Sequence, residues 1–279
     1  SLNGPWEVLD TDARAIDVAD PESPASALRS ASDRIATIPV PSTLETSGGW
    51  RPAYVNIQMP WDGHADPEAP SVPDTNRVAL YRRLFTLDED LRGAALEGGT
   101  VLLSFGGFAT ALYVWCDGAF VGYCEDGYTA SEFDITRLLG GAPADTIHEL
   151  VVACYEYSSA SWLEGQDSWR FHGLFRGVCL TALPPTHVDS VRIDADFDHH
   201  SEVGRLRIKA DVVDPLGGAS IRAELFDHSC APVWSTETPR SAATDLVSDA
   251  IPRVAPWSAE LVGELSAVVA WLGVVVVIV

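Results

Sequence analysis

Short apolar runs separated by turn residues recur along most of the chain. Residues 101–105 form one such run, and residues 111–116 and 119–123 form two more. The last two runs are separated only by Asp117-Gly118, a pair that tolerates the positive φ angles of a type I′ turn. Two β-type runs joined in this way are a strong signal of a β-hairpin. The pattern therefore predicts a short antiparallel hairpin over these two runs.

Further runs of the same kind predict strands along the rest of the chain. They cover residues 149–157, 177–183, 188–195, 205–213, 220–226 and 267–272. No segment carries a long amphipathic helical repeat, and short strands with frequent turn signals are typical of β-sandwiches. We therefore predict an all-β protein, with a long proline-rich surface loop over residues 62–77.

The pair Pro184-Pro185 lies between two groups of predicted strands. Proline fixes φ and removes a backbone donor, so this pair marks a domain boundary. We predict a first domain over residues 1–184 and a second over residues 185–279, whose length of about 95 residues is that of an immunoglobulin-like sandwich. The chain ends inside an apolar run, from which we expect a fragment of a longer protein with a truncated or barely complete second domain.

The balance of charge restricts the class of partner. The chain of 279 residues has 40 acidic and 18 basic side chains, which gives a formal net charge of -22. That charge repels phosphate backbones and anionic membrane surfaces, so we expect neither nucleic acid nor a membrane as a partner. No signal peptide is visible, and the apolar stretch 265–279 is shorter than a bilayer requires.

Five cysteines are present, and no two of them form a CxxC pair. Most lie in apolar strand-like runs, where cysteine usually behaves as a small buried side chain. This usage favours free thiols in a reducing compartment over a disulfide framework or a zinc ribbon. We therefore expect a cytoplasmic location.

Eight motifs follow one another through the first domain. They are Leu2-Asn3-Gly4-Pro5-Trp6, Val40-Pro41-Ser42, Tyr54-Val55-Asn56-Ile57 with Pro60-Trp61, Tyr81-Arg82-Arg83-Leu84-Phe85, Val114-Trp115-Cys116-Asp117-Gly118 with Val121-Gly122-Tyr123, Glu132-Phe133-Asp134-Ile135-Thr136, Trp162-Leu163-Glu164-Gly165-Gln166-Asp167-Ser168-Trp169-Arg170 and Gly173-Leu174-Phe175-Arg176. Their order and spacing resemble the sugar-binding domain of glycoside hydrolase family 2, specifically that of the large bacterial beta-galactosidases. In the second domain only Pro256-Trp257-Ser258-Ala259-Glu260 is similar to the family's immunoglobulin-like domain.

The resemblance implies a jelly-roll β-sandwich of the galactose-binding type, then an immunoglobulin-like β-sandwich, then a (β/α)8 barrel that carries the active site. A retaining glycosidase needs a carboxylic acid and a carboxylate nucleophile, and in this family the acid/base glutamate follows an asparagine. The chain has three asparagines, Asn3, Asn56 and Asn76, and none of them precedes a glutamate. We therefore expect no catalytic residue and no cofactor in this chain, whereas the resemblance implies sodium and magnesium in the full-length enzyme.

Two residues are the first candidates for a sugar site. By resemblance, Asp167 reaches toward the barrel's active site, where it contacts a galactose hydroxyl and a sodium ion; a carboxylate suits both roles. Asn56 matches a family asparagine that faces the galactose, and an amide can donate and accept at once. The alternatives are a turn cap or a pair with Arg170 for Asp167, and an Asx-turn after Tyr54 for Asn56.

The residues around this segment are expected to support it. Trp162 and Trp169 could stack on a sugar face, but tryptophans of a sandwich more often fill the core, which is our prediction for both. Arg170 and Arg176 are expected to stabilise the loop through carboxylate pairs. The candidate carboxylate partners are Glu164 and Asp134.

Two positions depart from the family pattern. Gly165 replaces an acidic residue often found there, and His172 replaces a small serine. Both changes are expected to loosen or reshape the loop that carries Asp167.

A segment near the start of the second domain is rich in acidic residues and histidines, which suggests a metal site. It contains Asp194, Asp196, Asp198, His199, His200 and Glu202. Alternating aspartates share one face of a strand, and paired histidines bind transition metals. The segment precedes a predicted hairpin turn, however, so a solvated strand edge is the favoured interpretation. His64 lies in the predicted surface loop, and there too a solvated side chain is favoured over a metal ligand.

The sequence therefore predicts the non-catalytic N-terminal region of a beta-galactosidase, whose loop residues Asn56 and Asp167 help to hold the sugar. The expected partners are a β-galactoside, the barrel of the same chain and further copies in a homo-oligomer. The alternatives are a stand-alone carbohydrate-binding module and a structural β-sandwich protein. Within the family, a glucuronidase or mannosidase specificity stays open, although the Tyr-Val-Asn and Gln-Asp-x-Trp segments favour galactose.

Overall fold

The structure is a computed structural model that describes residues 1–54, 56–64, 66–164, 167–198, 200–215, 217–226, 230–239, 244–252 and 273–278. The chain divides into two compact units, Ser1–Leu183 and Pro184–Val279. Strands predominate in both units, and the longest described helices have only 8 residues. The prediction of an all-β protein is confirmed.

The first unit is a sandwich of two antiparallel sheets. Its strands are β1 (Gly4–Asp12), β2 (Ala36–Val40), β3 (Ala53–Tyr54), β4 (Arg77–Phe85), β5 (Thr100–Phe105), β6 (Ala111–Cys116), β7 (Ala119–Cys124), β8 (Ser131–Asp134), β9 (His148–Tyr155), β10 (Trp169–Arg170) and β11 (Val178–Leu183). One sheet has the order β2-β1-β4-β9-β6-β7, and the other has the order β11-β5-β8. The two shortest strands, β3 and β10, pair with each other outside both sheets.

Short helices occupy the connections of this unit. They are α1 (Ser23–Ser30), α2 (Leu44–Ser47), α3 (Glu89–Leu96) and α4 (Thr136–Leu139), with 3-10 turns at Ala13–Ala15, Ser32–Arg34 and Ser159–Trp162. α2 begins after Thr43, whose side chain accepts a hydrogen bond from the backbone N–H of Thr46. Such a cap satisfies one of the backbone donors that a helix start leaves unpaired.

The main core fills the space between the two sheets. Trp6, Tyr81 and Val152 point into it from the six-stranded sheet, and Leu103 and Phe105 point into it from the three-stranded sheet. Each of these side chains is at most 1% exposed. Burial of an apolar side chain of this size contributes roughly 1.5–3 kcal/mol, so the sandwich is stabilised chiefly by contacts across its two inner faces.

The predicted hairpin forms between β6 and β7. Asp117 and Gly118 have φ angles of 50° and 77°, both positive as a type I′ turn requires. Cys116 pairs with Ala119 across the turn. The Oδ1 atom of Asp117 also accepts a hydrogen bond of 2.8 Å from the backbone N–H of Glu149, so the turn is joined to β9. The sequence prediction is confirmed here.

The second unit is also built from two antiparallel sheets. Its strands are β12 (His187–Asp198), β13 (Val203–Val213), β14 (Ser220–Phe226), β15 (Pro232–Pro239), β16 (Thr244–Pro252) and β17 (Gly273–Ile278). Their orders are β12-β13-β16 and β15-β14-β17, the strand pairing of an immunoglobulin-like sandwich. Alternate residues of β13 are buried, and Ile208 belongs to the same core cluster as Ile221 and Leu225 of β14.

Eight of the described strands lie where the sequence predicts them, namely β5, β6, β7, β9, β11, β12, β13 and β14. The strands predicted over 111–116 and 220–226 match β6 and β14 residue for residue. The described strands without a sequence prediction include β1, β2, β8 and β16. They also include β4, whose apolar run is interrupted by Arg82 and Arg83, and β15, which is rich in serine, threonine and glutamate. The predicted strand 267–272 and the motif at 256–260 lie outside the described residues.

The five cysteines are free thiols, as the sequence predicts. Within the described ranges, no helix is both long enough and apolar enough to cross a bilayer.

Candidate functional site

Two polar segments of the first unit meet where β3 pairs with β10. Tyr54 of β3 lies opposite Trp169 of β10 in this antiparallel pair. Asn56 follows β3 by two residues and Asp167 precedes β10 by two residues, so both leave the same end of the pair. Both side chains belong to exposed residues. The structure therefore brings the two candidate sugar-binding residues to one surface.

The carboxylate of Asp167 is oriented by a phenol. The Tyr54 hydroxyl donates a hydrogen bond of 2.7 Å to the Oδ1 atom of Asp167. This bond, and secondarily desolvation, raises the pKa of Tyr54 above its usual value of 10.0. Sequence reasoning weighed a turn cap and Arg170 as structural partners of Asp167, and it missed Tyr54.

An open surface depression adjoins this hydrogen bond. Its volume is about 550 Å³, and its lining residues are Pro52, Tyr54, Asn56, Ile57 and Trp169. Apolar and aromatic walls with a few polar groups are the usual composition of a small-ligand site. The depression therefore offers a place where a ligand could contact Asn56 and the aromatic rings together.

The prediction that Trp169 fills the core is wrong. Its surface is 53% exposed, and its ring packs against Tyr54 with centroids 5.2 Å apart. It also lies nearly parallel to the ring of Phe171, with an interplanar angle of 16°. The physical reason is that β10 lies outside both main sheets, so no second layer covers this side chain.

Trp162 differs from Trp169, because it is packed into the framework. Its indole stacks on the buried Trp61 at a centroid distance of 4.5 Å. Its Nε1 atom donates a hydrogen bond of 2.8 Å to the carbonyl oxygen of Ser71, within the predicted surface loop. Trp162 thus joins the 3-10 turn before the Asp167 segment to that loop.

The two arginines near the loop donate to backbone carbonyls. The Nη1 atom of Arg170 donates a hydrogen bond of 2.6 Å to the carbonyl oxygen of Ile57, which joins β10 to the Asn56 segment. Arg176 donates to the carbonyl oxygens of Tyr128 and Gly106 at 2.8 and 3.2 Å. Among the described residues, the hydrogen-bond partners of the Arg176 Nη1 atom are backbone oxygens and not a carboxylate, so the prediction of a carboxylate pair is wrong for Arg176.

Two carboxylates that were not identified from the sequence contact the chain on either side of the Asp167 segment. Before it, Glu125 accepts a hydrogen bond of 3.2 Å from the backbone N–H of Ala160. After it, Glu45 accepts from the backbone N–H of His172 at 3.0 Å. Glu125 is 35 positions from Ala160 in the chain, and Glu45 is 127 positions from His172. No local sequence signal could therefore have revealed either contact.

Glu125, which accepts from Ala160, lies close to two further carboxylates, those of Asp126 and Glu164. Burial, followed by the nearby charges of Asp126 and Glu125, raises the pKa of Glu164 above its usual value of 4.5. Across the part of the chain that the structure describes, no group of three or more histidine, cysteine, aspartate or glutamate side chains is placed to hold a metal ion.

The acidic segment at the end of β12 leads into a turn that is held by hydrogen bonds to Asp198. Asp198 accepts hydrogen bonds from the backbone N–H of His200 at 2.9 Å and from the hydroxyl of Ser201 at 2.8 Å. These bonds lower the pKa of Asp198 below its usual value of 3.8. His199 and the departure at Gly165 lie outside the described residues.

Comparison with known proteins gives consistent matches. Residues 1–184 match the family model of the sugar binding domain of glycosyl hydrolases family 2. Beta-galactosidase BgaC of Bifidobacterium adolescentis is 45% identical over 271 residues, which are 93% of this chain and 26% of that protein. A beta-galactosidase of Lactobacillus delbrueckii subsp. bulgaricus is 41% identical over 225 residues, 80% of this chain and 21% of that protein. The crystal structure of Bacteroides uniformis beta-glucuronidase matches with a TM-score of 0.63 and 18% identity, over 92% of this chain and 28% of that one, which shows a shared fold.

The chain belongs to glycosyl hydrolase family 2. More particularly, its residues 1–184 are the sugar binding domain of that family. The chain spans about a quarter of the length of the curated relatives named above.

Proposed function

We propose that the chain is the non-catalytic N-terminal region of a beta-galactosidase, the activity for which its relatives at 45% and 41% identity are named. One observation carries this proposal. The exposed Asp167 carboxylate is oriented by Tyr54 at the same end of the β3–β10 pair as Asn56. These residues would form one wall of a galactose pocket.

The chemistry of this wall fits a sugar. A carboxylate accepts hydrogen bonds from hydroxyls, and an amide donates and accepts, so Asp167 and Asn56 could each bind a different sugar hydroxyl. The half-exposed ring of Trp169 could contact an apolar face of the sugar. Arg170 would hold the two segments in register through its bond to the Ile57 carbonyl.

The same carboxylate could contribute to a cation site. Hard cations prefer oxygen ligands, and an exposed carboxylate supplies them. We propose that Asp167 provides one ligand to a sodium ion. The remaining ligands, and any magnesium site, would come from the rest of the full-length protein.

Cleavage of the glycosidic bond would take place elsewhere in the full-length protein. Retaining hydrolysis requires an acid/base and a nucleophilic carboxylate about 5–5.5 Å apart, which the resemblance assigns to a (β/α)8 barrel. The contribution of this chain would be to orient the sugar against those groups. The free thiols support a cytoplasmic location, and a homo-oligomer is proposed by analogy with other β-sandwich proteins.

Hydrolysis of a nitrophenyl β-galactoside by the full-length protein tests the proposal. Asp167→Ala is expected to raise KM by about tenfold or more, because a charged hydrogen-bond partner of the sugar is lost. Asp145→Ala is the matched control, since Asp145 is an exposed aspartate between α4 and β9 that belongs neither to the β3–β10 pair nor to the lining of the depression beside it. Equal kinetics of the Asp167 variant and the wild type would refute the proposal.

The isolated chain provides a second test. We expect it to hydrolyse no nitrophenyl β-galactoside, because the proposed catalytic carboxylates lie outside it. Turnover by the purified chain would contradict the non-catalytic role. Galactose binding by the isolated chain in calorimetry would favour a stand-alone carbohydrate-binding module instead.

A further inference from the structure

We propose that Glu45 and His172 form a buried pair that positions the loop carrying Asp167, an inference that rests on the proposed function. The Oε2 atom of Glu45 accepts a hydrogen bond of 3.0 Å from the backbone N–H of His172. Its Oε1 atom lies 2.7 Å from the Nδ1 atom of the same residue. A carboxylate only accepts hydrogen bonds, so the Nδ1 atom carries the proton in this contact.

The pair is enclosed by the framework. The side chain of Glu45 is 1% exposed and that of His172 is 11% exposed. The indole of Trp50 lies against the imidazole at a centroid distance of 5.5 Å. Hydrogen bonds in such surroundings are stronger than in water, and an unpaired polar group there is costly.

Backbone hydrogen bonds join the same two segments. The N–H of Leu44 donates to the carbonyl oxygen of His172 at 2.9 Å, and the N–H of Ser42 donates to that of Leu174 at 3.0 Å. The side chain of Glu45 therefore completes a connection between the start of α2 and the segment that follows β10. The imidazole of His172 needs an acceptor for its Nδ1–H, and Glu45 supplies it.

The position of the pair explains how it would act on the site. β3 and β10 each have 2 residues, and an isolated two-stranded pair of this kind is marginally stable at best. Asp167 lies two residues before β10 and His172 lies two residues after it. The orientation of Asp167 therefore depends on what holds the other end of β10, and Glu45 is placed to do so.

Loss of the Glu45 carboxylate has a defined consequence. In Glu45→Gln one acceptor oxygen becomes an N–H donor, so only one of the two His172 donors, its backbone N–H or its Nδ1–H, keeps an acceptor inside the framework. The segment would then relax to reach water, and this movement would displace β10 and Asp167 with it. Glu45 is thus a positioning residue, whose effect on the sugar passes through Asp167.

A double-mutant cycle in the full-length protein tests the inference. With a nitrophenyl β-galactoside, Glu45→Gln is expected to raise KM by about threefold to tenfold with a smaller change in kcat. In an Asp167→Ala background, the same substitution is expected to change neither constant further. Glu97→Gln, at an exposed position after α3, is the matched control. If Glu45→Gln has the same effect in both backgrounds, the inference is overturned while the proposed function stands.

Amide hydrogen exchange gives a readout that does not depend on the proposed function. Residues 167–171 are expected to exchange about tenfold faster or more in Glu45→Gln than in the wild type. Unchanged exchange overturns the inference, whatever Asp167→Ala does to the kinetics. His172→Asn, which keeps an N–H donor near Nδ1, is expected to keep most of the wild-type protection, and His172→Leu is expected to lose it. His172→Leu serves for both measurements should Glu45→Gln fail to fold.

Discussion

The Tyr54 hydroxyl donates a hydrogen bond of 2.7 Å to the Oδ1 atom of Asp167, although 113 positions separate the two residues in the chain. The pairing of β3 with β10 makes this contact possible, because Tyr54 lies opposite Trp169. The bond restricts the rotation of an exposed carboxylate that would otherwise sample several rotamers. Tyr54 therefore connects the framework to the proposed sugar site.

Replacement of Tyr54 with Phe removes the donor and keeps the ring that packs on Trp169. In the full-length protein we expect Tyr54→Phe to raise KM for a nitrophenyl β-galactoside by about threefold to tenfold, because Asp167 is no longer held in one orientation. Tyr113→Phe is the matched control, since Tyr113 is a half-buried tyrosine of β6 that packs against Trp115 and Tyr155. Equal kinetics of the two variants would argue against an orienting role for the phenol.

The ionisation of Tyr54 reports on the same bond. Its pKa is raised above 10.0, first by the hydrogen bond to Asp167 and then by desolvation. A raised pKa means that folding favours the protonated phenol. This contribution to stability is fully present below the unfolded pKa of about 10 and is lost as the pH rises through the raised folded value.

Absorbance titration of this chain, with Tyr54→Phe as the reference, isolates the signal of Tyr54. In Asp167→Ala we expect its pKa to fall back toward 10.0, because the principal cause of the shift is gone. A titration midpoint that is the same with and without Asp167 would contradict this assignment.

The features that the sequence predicts well are local or carried by the family resemblance. The Asp117-Gly118 pair predicts its hairpin because the φ angles of a type I′ turn depend on those two residues alone. The pairs that fix the site are of another kind. Asp167 meets Tyr54, and His172 meets its acceptor 127 positions away, through contacts that no periodicity encodes.

Trp169 shows a second reason why sequence reasoning fails. A large aromatic residue in a sandwich is normally buried, and the pattern around Trp169 gives no sign of an exception. Its exposure follows from the position of β10 outside both sheets, which depends on how distant strands pair. Trp169 adjoins the exposed side chains of Ile57 and Phe171, and a group of neighbouring exposed apolar side chains is a mark of a binding surface.

Gly173 is a loop position where an added side chain meets the core. Its φ angle is +96°, and a Cβ atom there would lie 2.5 Å from the hydroxyl of Tyr81, which is fully buried. We expect Gly173→Ala to lower the free energy of unfolding of this chain by about 2–4 kcal/mol, through backbone strain and overpacking together. Thermal unfolding followed by circular dichroism measures the difference.

Gly141 provides the matched control for this substitution. Its φ angle is +86°, but a Cβ atom there would meet nothing within 4 Å. Gly141→Ala should therefore cost only the backbone strain, about 1–2 kcal/mol. Equal losses for the two variants would show that contact with Tyr81 contributes nothing.

The cysteines are expected to differ sharply in reactivity. Cys230 is exposed, whereas Cys116 and Cys154 are buried, and burial raises the pKa of both buried thiols to about 12. Because the thiolate is the reactive form, Cys230 should react rapidly with an aromatic disulfide reagent near neutral pH, and the two buried thiols should react only after unfolding. The number of thiols that react with and without denaturant measures this difference.

Two serine substitutions serve as controls. Cys230→Ser should remove the fastest phase of the reaction, whereas Cys179→Ser, at a half-buried position, should leave that phase in place. A fastest phase that survives Cys230→Ser would mean that a thiol of the first unit is open to solvent, contrary to its packing in the sandwich.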